Sequence, residues 1–109
     1  MTVEIHPTAV VDPGAEIGEG TSIGPFCVVG PEVAIGPEST LASHVVITGP
    51  TTLGARCKIY PFAVLGSAPQ DRKYREEHST LELGDDVLVR EHATLHRGTA
   101  SGRGMTLIG

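Results

Sequence analysis

Aromatic side chains and early basic residues are both scarce in this sequence, and each shortage argues against a class of protein. There is no Trp, and there are only two Phe and two Tyr, so a globular core built on large rings is not expected. The first 55 residues hold six acidic side chains and no Lys or Arg, and the net charge is −5. Without a basic stripe interleaved with aromatics, the composition is not that of a nucleic-acid-binding protein.

Long apolar runs and cysteine clusters are also missing. The N-terminus has neither the basic nor the apolar region of a signal peptide, and the longest uncharged run, residues 39–55, contains Gly49 and Pro50 and does not read as a membrane span. The two cysteines, Cys27 and Cys57, lie far apart and without zinc-ligand spacing. They are expected to be buried thiols in a reducing cytoplasm, and we predict no metal and no cofactor.

The sequence has instead an aliphatic residue at every sixth position over its first 65 residues. A small or β-branched residue follows each of the first ten at the fourth place, and Gly often follows directly. The aliphatic series is Ile5, Val11, Ile17, Ile23, Val29, Ile35, Leu41, Ile47, Leu53, Ile59 and Leu65. The small series is Ala9, Ala15, Thr21, Cys27, Val33, Ser39, Val45, Thr51, Cys57 and Ala63.

A period of six predicts short strands that wind into a solenoid. Six is three times the strand period of two, so every sixth side chain points to the same side of its strand. If each strand and turn rotates the chain by a third of a circle, three hexads close one coil and the aliphatic side chains stack inside it. Hexapeptide repeats are typical of parallel β-helices. We therefore predict an all-β parallel β-helix, with residues 1–109 forming a single domain and no helix before residue 70, because Gly or Pro interrupts almost every window.

The repeat is broken at two places in the second half of the chain. Residues 68–80 are polar and highly charged, and the aliphatic phase resumes only at Leu83. Such a segment must leave the wall, so an extruded loop is predicted there, and loops on rigid scaffolds often carry function. A second slip lies at residues 101–104. Since the chain reaches Gly109 at the start of a new hexad, we expect the natural solenoid to continue further.

Several motifs resemble one family of hexapeptide-repeat enzymes. They are S-H-V-V-I-T-G at 43–49, Q-D-R-K-Y at 70–74 and L-H-R-G-T at 95–99, after the more widespread I-G-P-F-C-V-V-G-P at 23–31. In this order and spacing they resemble the N-terminal part of the UDP-N-acetylglucosamine 3-O-acyltransferases, which catalyse the first step of lipid A biosynthesis. The resemblance covers the whole chain and under half of a typical family member. It implies a left-handed coil, against the usual right-handed crossover rule.

The resemblance also nominates four substrate-binding residues. In the family the Q-D-x-K-Y loop helps to hold the sugar nucleotide, which implies this role for Gln70, Asp71 and Lys73. The His of the H-R-G-T motif lines the same cleft, which implies His96. The chemistry agrees, because a carboxylate accepts hydrogen bonds from sugar hydroxyls and an ammonium group attracts phosphate. On sequence alone, the loop could equally be a solvated charged excursion, and His96 a surface histidine bonded to a neighbour.

The family's reaction implies partners but assigns no catalytic residue here. A His acts as general base on the sugar 3-OH, which attacks the thioester of acyl-acyl carrier protein. That His lies beyond Gly109, so neither His92 nor His96 is given its role, and the 109-residue chain alone is expected to be inactive. The resemblance further implies a cytoplasmic homotrimer with UDP-N-acetylglucosamine and the acyl carrier protein as partners.

Two other readings remain open at this stage. One is a different hexapeptide-repeat transferase, such as the N-acyltransferase of the same pathway or a small acetyltransferase. The other is a non-catalytic trimeric solenoid that binds a sugar nucleotide without turning it over. The first is opposed by the pairing of Q-D-R-K-Y with H-R-G-T, and turnover would exclude the second.

Overall fold

The chain folds into three parallel sheets that form the walls of one prism. The computed structural model describes residues 3–67, 80–96 and 105–108. Sheet A contains β1 (Glu4–Ile5), β4 (Ser22–Ile23), β7 (Thr40–Leu41), β10 (Lys58–Ile59) and β13 (Leu88–Val89). Sheet B contains β2 (Val10–Val11), β5 (Val28–Val29), β8 (Val46–Ile47), β11 (Val64–Ser67) and β14 (Thr94–His96). Sheet C contains β3 (Glu16–Ile17), β6 (Val33–Ile35), β9 (Thr51–Leu53), β12 (Thr80–Leu83) and β15 (Met105–Ile108).

Each strand pairs with the strand three places further along the chain. Successive strands therefore lie in different walls, and three of them make one coil, so the described strands form five stacked coils. The predicted phase is confirmed on both sides of the first interruption, since Leu83 pairs with Leu53. It is also kept across the second interruption, where Ile108 pairs with Leu83. The predicted parallel β-helix is confirmed.

The aliphatic series fills the interior of the prism. Ile47 and Leu65 are fully buried, and most other members of the series from Ile23 onward are nearly so. Full burial of an aliphatic side chain stabilises the folded state by about 1.5–3 kcal/mol relative to leaving it exposed to water. The first coil differs, because among the described residues it packs against a coil on one side only: Ile5 is 44% exposed, and Val11 and Ile17 are only partly buried.

One residue in most turns has a left-handed backbone conformation, and it is usually not Gly. The third residue after an inward aliphatic residue repeatedly has φ near +60°, as at Phe26, Glu32, Glu38, His44, Arg56, Phe62, Asp86 and His92, while Gly20 takes the same place once. The glycines that directly follow the aliphatic residues serve close packing instead. At Gly36, an added Cβ would lie 2.5 Å from the carbonyl carbon of Gly54 in the next coil.

The small residues of the second series also make hydrogen bonds that their size alone did not predict. Where sheet C meets sheet A, the Thr21 hydroxyl donates to the Gly36 carbonyl at 2.9 Å and the Ser39 hydroxyl donates to the Gly54 carbonyl at 3.2 Å. The Cys57 thiol makes the equivalent bond to Gly84 at 3.2 Å. Both Cys27 and Cys57 are free and buried, as predicted. Burial raises the pKa of each thiol, which makes both poor nucleophiles.

Candidate functional site

Both interruptions of the repeat fall at the same corner of the prism. We call this the BC corner: it comprises residues 12–15, 30–32, 48–50, 68–79 and 97–104, which connect sheet B to sheet C in successive coils. In the first three coils the connection is three or four residues long, whereas in the last two it is far longer. Thr80, which the prediction included in the extruded loop, belongs to β12, and residues 68–79 lie outside the described residues.

The strand register brings the two family motifs to adjacent places. His96 is the last residue of β14, and its Cα partner in the neighbouring strand is Ser67, directly before the segment 68–79. That segment contains Gln70, Asp71 and Lys73, and it lies outside the described residues. The side chain of His96 is not described either. The last residues of β11 and β14 thus lie side by side at one edge of sheet B.

A β-bulge at Gly66 shapes this edge. The register between β11 and β14 shifts between Leu65 and Ser67, and Gly66 has φ +84°. A side chain could not be accommodated there, because an added Cβ would collide with the Thr48 carbonyl oxygen and the Thr51 hydroxyl. Bulges of this kind commonly re-aim a strand next to a functional site.

Two threonines of the preceding coil hold the bulge. The Thr48 hydroxyl donates to the Gly66 carbonyl at 2.9 Å, and the Thr51 hydroxyl donates to the Thr48 carbonyl at 2.6 Å. Sequence reasoning missed this pair. The available signal was positional: eighteen residues separate Thr48 from Gly66, so the two occupy the same place in successive coils.

Positive charge is concentrated in the two long connections of the BC corner. Five of the eight basic residues belong to them by sequence, namely Arg72, Lys73, Arg75, Arg97 and Arg103. The same two connections contain three acidic residues, Asp71, Glu76 and Glu77, so their net charge by sequence is +2. This small excess of positive charge favours an anionic ligand over a cationic one. Of the other three, Arg56 lies at the corner between sheets C and A, where it forms an exposed ion pair with Asp86 at 2.8 Å. This pair holds the pKa of the Asp86 carboxyl below its usual range.

The described residues carry neither a metal cluster nor a membrane span. Within residues 3–67, 80–96 and 105–108, there is no group of three or more His, Cys, Asp or Glu side chains that could hold a metal ion. The same part of the chain contains no helix with the length and apolar character needed to cross a membrane.

Comparison with known proteins identifies close relatives of one kind. The family model described as bacterial transferase hexapeptide (six repeats) matches residues 2–31 and 14–49. The acyl-[acyl-carrier-protein]–UDP-N-acetylglucosamine O-acyltransferase of Syntrophobacter fumaroxidans is 45% identical over 107 residues, which is 98% of this chain and 42% of the relative. The chain therefore spans about two fifths of the length of the curated relatives that it matches.

Solved structures agree with this result. A crystal structure of UDP-N-acetylglucosamine acyltransferase superposes with a TM-score of 0.95 at 44% identity, covering 97% of this chain and 41% of that one. The UDP-N-acetylglucosamine O-acyltransferase of Moraxella catarrhalis gives a TM-score of 0.93 at 47% identity, covering 100% and 42%. Agreement this close requires the same direction of coiling, which confirms the left-handed β-helix that the resemblance implied. The chain belongs to the UDP-N-acetylglucosamine O-acyltransferase family of hexapeptide-repeat proteins.

Proposed function

We propose that this chain is part of an acyltransferase that moves a hydroxyacyl group from acyl carrier protein to the 3-hydroxyl of UDP-N-acetylglucosamine, the first step of lipid A biosynthesis. Support comes from relatives named for these two substrates, with identity that extends over 98% of the chain. The location that we propose for the site is supported by one observation: the backbone of His96 pairs with that of Ser67 in the neighbouring strand. His96 belongs to the H-R-G-T motif, and Ser67 precedes Gln70 of the Q-D-R-K-Y motif by three residues, so the pairing supports a shared location for the two motifs.

In this proposal the BC corner holds the sugar nucleotide. Asp71 accepts hydrogen bonds from sugar hydroxyls, Gln70 offers both a donor and an acceptor, and Lys73 attracts the diphosphate as a point charge. His96 approaches the same ligand from the end of β14. The bulge at Gly66 and the threonines beneath it give these residues a rigid base, which reduces the cost of ordering a binding site.

The chemistry is a direct acyl transfer. The sugar 3-oxygen forms a bond to the thioester carbonyl carbon, the carbon–sulfur bond breaks, and the carrier protein leaves as a thiol that takes up a proton. A general base with a pKa near neutrality removes the hydroxyl proton, and an N–H donor stabilises the oxyanion. We assign neither of these two roles to a residue of this chain; Gln70, Asp71, Lys73 and His96 bind and orient the acceptor.

We further propose that the protein works as a cytoplasmic homotrimer. Two free, buried cysteines suit a reducing compartment, where thiols persist. The family resemblance implies a cleft between subunits, and a neighbouring subunit would close a site at this edge of sheet B.

The test is transfer of a hydroxyacyl group from acyl carrier protein to UDP-N-acetylglucosamine by the complete enzyme, with and without Asp71→Ala and Lys73→Ala. Both changes should raise the KM for the sugar nucleotide at least tenfold while the oligomer stays intact. Lys58→Ala is the matched control, because Lys58 lies on the outer face of sheet A, far from the BC corner in the wall order, and its kinetics should be those of the parent enzyme.

Each alternative function predicts a different outcome of this experiment. Binding of UDP-N-acetylglucosamine without any acyl transfer would indicate the non-catalytic solenoid. Transfer to an amino sugar and not to the hydroxyl would indicate the N-acyltransferase. Unchanged KM in both loop variants would refute the assignment of Asp71 and Lys73.

A further inference from the structure

Thr48 makes three hydrogen bonds at the end of sheet B, and two of them hold consecutive carbonyl groups of β11. Its backbone N–H donates to the Leu65 carbonyl at 2.9 Å, which is the ordinary bond between neighbouring strands. Its hydroxyl donates to the Gly66 carbonyl at 2.9 Å, and its own carbonyl accepts the Thr51 hydroxyl at 2.6 Å. The first bond belongs to the regular solenoid, and the two hydroxyl bonds are additions to it.

The same place one coil earlier shows what the hydroxyl adds. Gly30 makes the equivalent backbone bond, from its N–H to the Ile47 carbonyl at 2.9 Å, but it has no side chain. Thr48, which follows Ile47, does not have the positive φ that Gly66 has after Leu65. The backbone bond is therefore common to both coils, whereas the hydroxyl bond accompanies only the bulged one.

The hydroxyl of Thr48 holds Gly66 outside the pairing between β11 and β14. Leu65 pairs with Leu95 and Ser67 pairs with His96, so Gly66 has no Cα partner in β14. Gly66 is also buried, and a buried carbonyl that leaves the regular bonding pattern needs another donor. Thr48 supplies that donor from the preceding coil, which stabilises the bulge and the shifted register beyond it.

We infer that Thr48 is a positioning residue for the sugar-nucleotide site, that it acts through the Gly66 carbonyl, and that Thr51 holds it in place. The inference rests on the proposed function and adds the contact that sets the register at the edge of the site. Without the hydroxyl, the buried Gly66 carbonyl would lack a partner, which is costly. Return of Gly66 to the regular pairing would relieve this cost and would displace Ser67 from His96 by one residue, about 3.3 Å along the strand.

Burial distinguishes this role from direct contact with a ligand. Thr48 is exposed, so its location alone would also allow it to touch a bound molecule. Thr51 is only 1% exposed, and its hydroxyl is bonded to the Thr48 carbonyl, so it can act only through its neighbours. A positioning role therefore requires that removal of either hydroxyl has the same effect on the site.

The test compares Thr48→Val and Thr51→Val with Thr21→Val in the complete enzyme. Each change replaces a hydroxyl by a methyl group of similar size. Thr21 is the matched control, because its hydroxyl also donates to a glycine carbonyl at 2.9 Å, in a connection from sheet C to sheet A. Because Thr48 is exposed, the protein should still fold with Val at this position.

The kinetic readout is the KM for each of the two substrates. Thr48→Val and Thr51→Val should each raise the KM for UDP-N-acetylglucosamine about tenfold or more, since small displacements of binding groups are costly. The KM for acyl-acyl carrier protein should not change, and Thr21→Val should leave both values as in the parent. Thr48→Ser keeps the hydroxyl and should restore the parent KM.

Hydrogen–deuterium exchange gives a second readout that does not depend on activity. The peptides that contain Gly66 and Ser67 should exchange at least tenfold faster in Thr48→Val than in the parent, because the bond that holds the bulge is lost. Exchange of the same peptides should be unchanged in Thr21→Val and in Thr48→Ser.

The outcomes separate this inference from the proposed function. If the parent transfers the acyl group, an unchanged KM in Thr48→Val overturns the inference. So does a raised KM in Thr48→Val without one in Thr51→Val, because that result indicates direct contact between Thr48 and the ligand. A parent that does not acylate UDP-N-acetylglucosamine refutes the proposed function and the sugar-nucleotide role with it, while faster exchange would still show that Thr48 sets the register of this edge.

Discussion

The first three coils and the last two have the same interior and different corners. In both regions aliphatic residues at the inward position of successive strands pair in register, and the register is kept across both interruptions. Among the connections between the described strands, only those of the BC corner change in length, from three residues at 48–50 to twelve at 68–79. The solenoid thus separates the parts of the sequence that hold the fold from the part that is free to vary, and the candidate site lies where it varies.

If the hydrophobic interior runs without a break from the third coil into the fourth, truncating a buried side chain should lower the free energy of unfolding by the same amount in each. Ile47 in the third coil and Leu65 in the fourth are both fully buried. Ile47→Ala and Leu65→Ala should each lower the free energy of unfolding by about 2–5 kcal/mol, as measured by urea denaturation.

Ile5→Ala is the control for this pair. Ile5 is 44% exposed at the uncovered end of the first coil, so its truncation should cost less than about 1 kcal/mol. A Leu65→Ala cost as small as that of Ile5→Ala would mean that the core does not run through the interruption.

The first three coils and the last two should differ in how well their backbone tolerates an added side chain at the position of the bulge. Gly66 and Gly30 occupy the same place in their coils, but only Gly66 has a positive φ, and only there would a Cβ collide with the preceding coil; at Gly30 the nearest atom is 3.6 Å away. Gly66→Ala should cost about 1–3 kcal/mol or more from backbone strain, whereas Gly30→Ala should change stability by less than about 0.5 kcal/mol.

Thermal unfolding of the two variants under identical conditions checks this difference. Equal melting temperatures would show that the corner in the fourth coil is built like that in the second. The bulge would then have no special role in setting the edge at His96.

The interior could be predicted from the sequence because it depends on a single local rule. Every sixth residue is aliphatic, and this pattern predicts each strand and its inward face. The pairing of Leu83 with Leu53 follows from it only when residues 68–79 are left out of the count. The alignment of Val10, Val28, Val46 and Val64 along sheet B has a period of eighteen residues, and it is recognised only once the strands are assigned to walls.

Other features depend on contacts that no local pattern encodes. Residues such as Phe26 and Arg56 adopt a left-handed backbone without being Gly, because the stacked coils fix the turn whatever residue occupies it. The bulge at Gly66 depends on Thr48 and Thr51 in another coil. The assignments of Gln70, Asp71 and Lys73, and the role of the His96 side chain, stay predictions, since these lie outside the described residues.

The smallest expected effect concerns an ion pair that spans the interruption. Arg56 and Asp86 lie thirty residues apart in the sequence and on consecutive coils of the prism, joined by hydrogen bonds of 2.8 and 3.0 Å. Arg56 lowers the pKa of Asp86 in the folded state, so the pair stabilises the fold above the unfolded pKa of about 3.9. That contribution is lost as the pH falls through the lower, folded pKa.

Asp86→Asn should therefore lower the melting temperature slightly at neutral pH, and the gap between variant and parent should close as the pH falls below about 4. Asn suits the left-handed backbone of this position (φ +59°), so the pH dependence of the gap reports the charge alone. Salt should shrink the gap in the same way, because both side chains are more than half exposed. A gap that stays constant from pH 7 to pH 3 would mean that the pair does not join the coils on either side of residues 68–79.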